Sequence, residues 1–522
     1  MNEKEISPVE VHHLENTESR DVEHADEKGA TIGVADSDAR DYLDPTVVIT
    51  EEESQQLKRK IHRKVLPLMC LAYLTQALDK GTLGPASIMG WQADVGAKGQ
   101  DYALTSTLLW AGIICGEPIA NQLVRRLPVA KLLGSAMLIW TALLLGLTFA
   151  HTIAPVFAIR FLLGFFESLF GPVLLSITVQ WYLRQEQAFV SALWQSMLGV
   201  NSGISALFGY GFYHIPRGKG GAGPYDGRKL QGWQWMTLTV ALISFCSALI
   251  TLRFLPDSPT RARWATEKEK TLFVERVRSN NQGIKNTKFK REQLVEALKD
   301  QFTYLLFALA FFQTLVVGGI NTFNSLLINK AFGFSVLDSQ LLSIPLGVMA
   351  ILTYLLMAWL VTKTRQALLC MVAFCIPNIA GTITLLIVAP TPSTRGGLIV
   401  AFYAMQFFQA CNPSIFLMLA RNSAGQTKKS ITYAVTYIGW AGGNAIAPQI
   451  FQAVWAPRYL HSLEIHLALY GVFILTCLYT RWMLIRRNKQ KEAAQALEGT
   501  GTNALAFEDL TDRQNPDFRY SL

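Results

Sequence analysis

Four charged residues stand where the sequence is otherwise apolar. Arg160 and Glu167 lie inside a run from 155 to 182 of apolar or small residues, and Asp79-Lys80 lies inside a second such run, 65–86. A run of about 20 apolar residues is long enough to cross the hydrocarbon of a bilayer. Seven positions apart, Arg160 and Glu167 face nearly the same way on a helix. An ionised group at mid-bilayer costs roughly 3 kcal/mol on insertion scales, so such groups face a partner or a watery cavity. Burial disfavours the charged form of a carboxylate, so Glu167 can hold a proton when its cation is engaged elsewhere. An anion that binds Arg160 or Lys80 competes for that cation, and arginine suits a two-pronged grip on a planar carboxylate. Proton binding and anion binding then assist one another, as a symporter requires. The alternative is a set of buried ion pairs that only fix helix packing.

The elements that carry these residues follow from apolar length. Spans are expected at 65–86, 104–124, 131–150, 155–182, 188–213 and 236–255, then at 302–328, 340–362, 367–389, 396–420, 430–454 and 464–485. The fold class is an all-α membrane protein of twelve transmembrane helices in two six-helix bundles. The domains are an acidic, disordered tail at 1–57, a first bundle at 58–256, a linker at 257–301, a second bundle at 302–487 and a second tail at 488–522, neither tail looking folded. Basic residues at Lys58, Arg125-Arg126, Arg184, the linker, Lys363, Lys428-Lys429 and Arg486-Arg487 fall on one side, which the positive-inside rule makes the cytosol for both termini. One loop dissents, with Arg217, Lys219, Arg228 and Lys229 on the other side. Within the linker, 292–300 reads as a short amphipathic helix on the cytosolic face.

Two halves of six suggest an internal repeat, a common origin of transporters. Gly199-Val-Asn-Ser-Gly203 in span five matches Gly439-Trp-Ala-Gly-Gly443 in span eleven, and Phe165-Phe-Glu167 before Pro172 matches Phe407-Phe-Gln409 before Pro413. The halves differ in their acids. The second has no Asp or Glu inside a span, whereas the first has Asp79, Glu117 and Glu167. If protons couple to transport, their carriers lie in the first half. By helical rise, Asp79 and Arg160 share a level, and Glu167 lies about 10 Å further toward the cytosol. Glu117, between Gly116 and Pro118, is a gating or a structural group. The second half offers neutral groups for substrate. Gly318-Gly-Ile-Asn321-Thr-Phe-Asn324 either interrupts span seven at the cavity or serves close helix packing. Tyr433 and Tyr437, one turn apart, either donate to an anion or are interfacial aromatics.

Composition agrees: 51% of the 522 residues are hydrophobic and 16% charged, against about 25% charged in soluble chains. The net charge of +9 lies beside spans, so orientation explains it better than nucleic acid does. The seven cysteines fall in apolar runs without metal-ligand spacing, and no cofactor is expected.

Several stretches resemble the fungal allantoate permease family, the anion:cation symporter branch of the major facilitator superfamily. They are Arg63-Lys-Val-Leu-Pro-Leu-Met-Cys-Leu-Ala-Tyr73, Leu78-Asp-Lys80, Arg160-Phe-Leu-Leu-Gly-Phe-Phe-Glu167, Gln180-Trp-Tyr182, Gly442-Gly-Asn444-Ala-Ile-Ala-Pro448-Gln and the tail Asp509-Leu-Thr-Asp-Arg-Gln-Asn-Pro-Asp-Phe-Arg-Tyr520. The resemblance covers nearly all of the chain after residue 50. It implies two pseudo-symmetric bundles working by alternating access; for this chain a monomer in the plasma membrane is expected. It also implies proton-driven uptake of a small organic anion: allantoate, ureidosuccinate, a vitamin carboxylate such as nicotinate or pantothenate, or a small peptide. By similarity, Asp79 and Glu167 are the proton carriers, and Lys80 and Arg160 contact substrate. The superfamily's loop between spans two and three usually carries a glycine and an aspartate. Here Asn121-Gln-Leu-Val-Arg-Arg-Leu-Pro-Val-Ala-Lys131 has neither, so Glu117 is a candidate to replace part of that latch. The competing function is a proton-driven exporter of a secondary metabolite in the same fold. A non-transporting receptor would need a folded cytosolic domain, and an enzyme a nucleophile–base or metal constellation.

Overall fold

The computed structural model describes residues 42, 49–215, 230–278, 290–498 and 510–522, and all regular structure among them is helical. Most of the expected tail 1–57, and the dissenting Arg217, Lys219, Arg228 and Lys229, lie outside the described residues. Helix α1 (Glu51–Lys64) nevertheless begins inside 1–57. The Thr50 hydroxyl accepts from the Glu53 amide and the Glu53 carboxylate accepts from the Thr50 amide, a closed capping box.

Span one is α2 (Leu66–Ile88). The short α3 (Trp91–Asp94) follows Gly90, whose φ of 107° glycine adopts without a Cβ penalty. Span two is α4 (Asp101–Arg126) and span three α5 (Val129–Thr148). Span four is divided into α6 (Ile153–Glu167) and α7 (Phe170–Trp181), and span five into α8 (Arg184–Gln195) and α9 (Met197–Tyr213). Span six is α10 (Gly232–Phe254), and the linker holds α11 (Glu267–Arg278) and α12 (Arg291–Lys299). Span seven is α13 (Gln301–Leu326), which ends in a π-helical turn, Leu327–Ala331. Helices α14 (Val336–Leu341) and α15 (Ser343–Thr364) make span eight, and α16 (Ala367–Ile387) makes span nine. Span ten is α17 (Arg395–Ala404), a 3₁₀ turn at Met405–Ala410 and α18 (Cys411–Asn422). Span eleven is α19 (Gln426–Ile446) and span twelve α20 (Leu460–Glu498). Eight of the twelve are long and apolar enough to cross a membrane on composition alone. The other four, spans one, five, ten and eleven, are more polar or broken.

Spans four and ten each break just before a proline, whereas Pro85, Pro118 and Pro377 are accommodated inside continuous helices. A proline has no N–H to give, and its ring meets the carbonyl four residues earlier. Pro172 stands four after Ser168, the cap of α6, and Pro413 stands four after Gln409, inside the 3₁₀ turn. The repeated Phe-Phe-Glu/Gln pattern therefore sets Glu167 at the break in one half and Gln409 at the break in the other.

Helix packing repeats with a shift of six spans. Span one packs on five as seven does on eleven, two on four as eight on ten, and three on six as nine on twelve. Two against eleven, and five against eight, join the halves and are exchanged by the same shift. These are the two pseudo-symmetric bundles expected from the sequence.

Span seven decides between the two readings of its glycines. Its helix runs unbroken through Asn321 and Asn324. Gly318 and Gly319 serve close packing instead: a Cβ on Gly318 would stand 2.8 Å from Asn444 Oδ1, and one on Gly319 2.7 Å from the Phe451 ring. Gly439 and Gly443 answer from span eleven, where a Cβ would meet the Phe307 and Phe311 carbonyls at 2.6 and 2.5 Å. In span five, Gly199 meets Ile351 of span eight, but Gly203 has open space around it.

The C-terminal segment corrects one expectation. Residues 510–522 lie against the second bundle on the face that carries α1, α11, α12 and the basic residues, here termed the basic face. Lys428 Nζ, fully buried, reaches Asp512 at 2.7 Å and Asp300 and Glu296 at 2.9 Å. Arg487 reaches Asp300 at 2.6 Å, and the Tyr520 hydroxyl donates to Asp512 at 2.7 Å. Burial alone would push the Asp300 carboxyl up, but Arg487 and Lys428 hold it well below the usual carboxylate range. The linker is anchored too, by Lys60 to Glu269 at 2.5 Å and Arg276 to Glu186 at 2.7 Å.

Candidate functional site

Span one presents Gln76, Asp79 and Lys80 to the interior of the first bundle. Gln76 and Lys80 are one turn apart and share a face, while Asp79 is turned about 100° from Lys80. Facing them are Arg160 and, two turns on, Glu167, the last residue of α6. Span four is held at close range by span two. A Cβ on Gly112 would overlap the Phe161 carbonyl, and one on Gly164 the Leu109 carbonyl.

Two ion pairs result. Arg160 Nη1 stands 3.4 and 3.3 Å from the two oxygens of Asp79. Lys80 Nζ pairs with Glu167, whose same oxygen accepts from Gln76 Nε2 at 2.5 Å. Because residues 79 and 80 are neighbours, the two pairs form one network. The long lysine side chain spans the interval that a count of backbone rise assigned to separate levels. Arg160 Nε and Glu167 Oε2 are buried without a partner among the described residues.

Access separates the four. The side chains of Asp79, Arg160 and Glu167 are 1%, 4% and 5% exposed, that of Lys80 30%. The halves are tied at the face away from the basic residues. There Tyr102 donates to the Thr322 carbonyl and Thr107 to the Ala445 carbonyl, both at 2.7 Å, and the Ala453 amide donates to Gln100 at 2.8 Å. Lys80 is the accessible member of the four.

A row of aromatic rings continues from Lys80. Its ammonium lies over Trp110, 5.2 Å from the ring centroid, and Trp110 meets Trp440 edge to face at 4.9 Å. Tyr437 follows at 5.2 Å and Tyr433 at 6.2 Å. Trp110 belongs to the first half and the other three to the second, so the row crosses the seam. The Tyr437 hydroxyl faces Glu117, which also accepts from Asn121 Nδ2 at 3.2 Å. Glu117 is thus a side chain of the first half that engages the second.

The second bundle carries a neutral counterpart of this network. Gln313 of span seven donates to the Phe408 carbonyl at 3.2 Å, and Tyr354 faces Gln409. Asn321 and Asn324 are not part of the Lys80 cluster. Asn321 is exposed, and Asn324 accepts from Ser325 beside Gly84, at the seam of spans one and seven. Sequence reasoning missed Gln76 and Trp110, although each had a signal: Gln76 is one turn from Lys80, and Trp110 is seven residues before Glu117 on the same face. Among the described residues no group of three His, Cys, Asp or Glu is arranged to hold a metal.

Two bundles sharing one packing scheme, joined at one face and holding paired charges in the interior, are the architecture of a secondary transporter. Residues 69–448 match the Major Facilitator Superfamily, and the chain belongs to that family. It is 30% identical over 472 residues to the thiamine pathway transporter THI73 of Saccharomyces cerevisiae, a match covering 90% of this chain and 87% of that one. It is 29% identical over 500 residues to the allantoate permease of the same yeast, covering 91% and 88%. A similar fold is found in a bacterial homologue of the human lysosomal transporter Spinster in an inward-facing, unoccupied conformation. The TM-score is 0.61 at 15% identity, over 80% of this chain and 96% of that one. The protein is a multi-pass membrane transporter of a small-molecule substrate and not an enzyme.

Proposed function

We propose that the protein is a proton-coupled symporter of a small organic anion, working as a monomer by alternating access in the plasma membrane with both termini in the cytosol. The observation that carries this reading is the Lys80–Glu167 pair: an accessible cation in the bundle interior is neutralised by a buried carboxylate with one oxygen free. An anion arriving at Lys80 takes the cation from Glu167. The orphaned carboxylate is then desolvated and charged, a state that proton uptake relieves. The anion and the proton thereby favour each other's binding. Asp79 is the second carrier, and Arg160 is its counter-ion and the deeper anion contact. Tyr437 and Tyr433 line the approach, and Glu117 gates it through Tyr437. Asn321 and Asn324 serve substrate only at the far end of the path. The basic face is the cytosolic one by the positive-inside rule.

The test is an uptake screen of radiolabelled carboxylates and ureides in a permease-deficient yeast, with direction recorded. The expected result is uptake of an anion that rises as the medium is acidified. Uptake of a cation or a neutral drug, or net export, contradicts the reading.

A further inference from the structure

Helix α12 is packed inside out. The side it turns to the second bundle is polar: Gln293 accepts from the Thr427 amide at 3.0 Å and Glu296 pairs with Lys428 at 2.9 Å, with Ala297 buried beside them. The opposite side carries Val295 and Leu298, 40% and 46% exposed, next to the exposed Arg291 and Lys299. An amphipathic helix in water turns its apolar side to the core. Here that side faces outward, which suits a medium with an apolar boundary and charged headgroups.

The neighbours show which medium it is. A single extended residue, Asp300 (φ −80°, ψ 116°), separates α12 from span seven, so α12 turns off the axis of the span and does not lengthen it into the solvent. The Tyr304 hydroxyl donates to the Leu298 carbonyl and Gln301 to the Tyr479 hydroxyl, both at 2.7 Å, and Tyr479 meets Trp482 at 5.6 Å. Tyr304, Tyr479 and Trp482 are exposed at the ends of spans seven and twelve on the basic face, the position of an aromatic belt. Val295 and Leu298 continue that belt. Arg291, Lys299 and Arg486 have no acidic partner among the described residues, and Arg486 lies over Trp482, 5.6 Å from the ring centroid. Cations of this kind beside an exposed apolar strip complement a leaflet of anionic lipid. Glu292, the exposed acid of α12, lies about 120° round the helix from Leu298.

We propose that α12 is an interfacial helix. Val295 and Leu298 lie at the headgroup–acyl boundary of the leaflet on the basic face, and Arg291, Lys299 and Arg486 take the phosphates of anionic lipids there. The partner is the bilayer, so this inference stands apart from the substrate and the coupling proposed above.

The test uses the full chain in nanodiscs of phosphatidylcholine, with or without phosphatidylserine. Cys70, Cys115 and Cys246 are replaced by serine, which leaves the four buried cysteines. A spin label is attached in turn through Glu292→Cys, Val295→Cys and Leu298→Cys. Its collisions with oxygen, which partitions into lipid, are compared with those with a water-soluble nickel chelate. The oxygen-to-nickel ratio is expected to be several-fold higher at 295 and 298 than at 292, and to rise further at 295 and 298 with phosphatidylserine. That rise should disappear in the triple variant Arg291→Gln, Lys299→Gln, Arg486→Gln, which keeps the apolar strip. Equal ratios at all three positions would put the strip in water and overturn the inference. Few collisions with either reagent at 295 and 298, as under a second copy of the chain or another protein, would overturn it as well. So would a ratio at 295 and 298 indifferent to phosphatidylserine.

Discussion

Asp79 and Arg160 make the sharpest energetic case. Their side chains are 1% and 4% exposed and meet at 3.3 Å. Removing one partner of a buried pair leaves a desolvated charge and costs about 3–5 kcal/mol, whereas removing both avoids most of that. The two single losses need not be equal. After Arg160→Gln, Asp79 still has Lys80 as its sequence neighbour, so the cost falls toward the lower end. After Asp79→Asn, Arg160 faces no other acid at this range among the described residues, and the cost falls toward the upper end. Even about 3 kcal/mol is roughly a hundred-fold in the ratio of folded to unfolded protein. Surface abundance and detergent melting temperature should therefore drop in both single variants, more in Asp79→Asn. The double variant should recover both readouts and yet not transport. Losses that add across the four members of the cycle would refute the pairing.

Three further outcomes follow from the packing and the basic face. Gly164→Ala sets a Cβ against the Leu109 carbonyl, a backbone atom that cannot yield; it should cost about 1–3 kcal/mol and lower surface abundance, whereas Gly203→Ala, in open space, should be neutral. Glu117→Gln and Tyr437→Phe should slow substrate counterflow to the same extent, with no further loss in the double variant; additive losses would separate the two residues. Asp300 is held below its ordinary value of about 3.9, so its contribution to stability is complete above that value and is lost as pH falls through the lower folded value. Protection of 510–522 against proteolysis should accordingly stay constant from about pH 8 to 5 and fail only on further acidification; a loss centred near neutrality would assign the clasp to another group.

Much of the architecture was legible because a membrane makes apolar length a strict signal. The breaks of spans four and ten fall at Pro172 and Pro413, but Pro85, Pro118 and Pro377 lie inside unbroken helices, so a proline alone does not mark a break. Rotation of one helix against another leaves no mark at all, so the choice of Glu167 by Lys80 was not legible in residue order. Counting backbone rise assigned Arg160 and Glu167 to separate levels and ignored the reach of a lysine side chain. At Gly318 the sequence allowed two physical uses of a missing Cβ, a loosened helix or a close approach, and only the neighbours Asn444 and Phe451 decide between them. The C-terminal segment escaped notice for a different reason. Its order rests on charges neutralised in pairs around Lys428 rather than on apolar area, and hydrophobic patterning does not register that.

The central claim is that Glu167 carries the proton that drives the anion. The most direct measurement compares wild type and Glu167→Gln in proteoliposomes, following accumulation of substrate under an imposed pH gradient and counterflow exchange without one. The account predicts that the variant loses accumulation and keeps exchange, because only proton cycling is removed. Accumulation against a gradient by Glu167→Gln would contradict it.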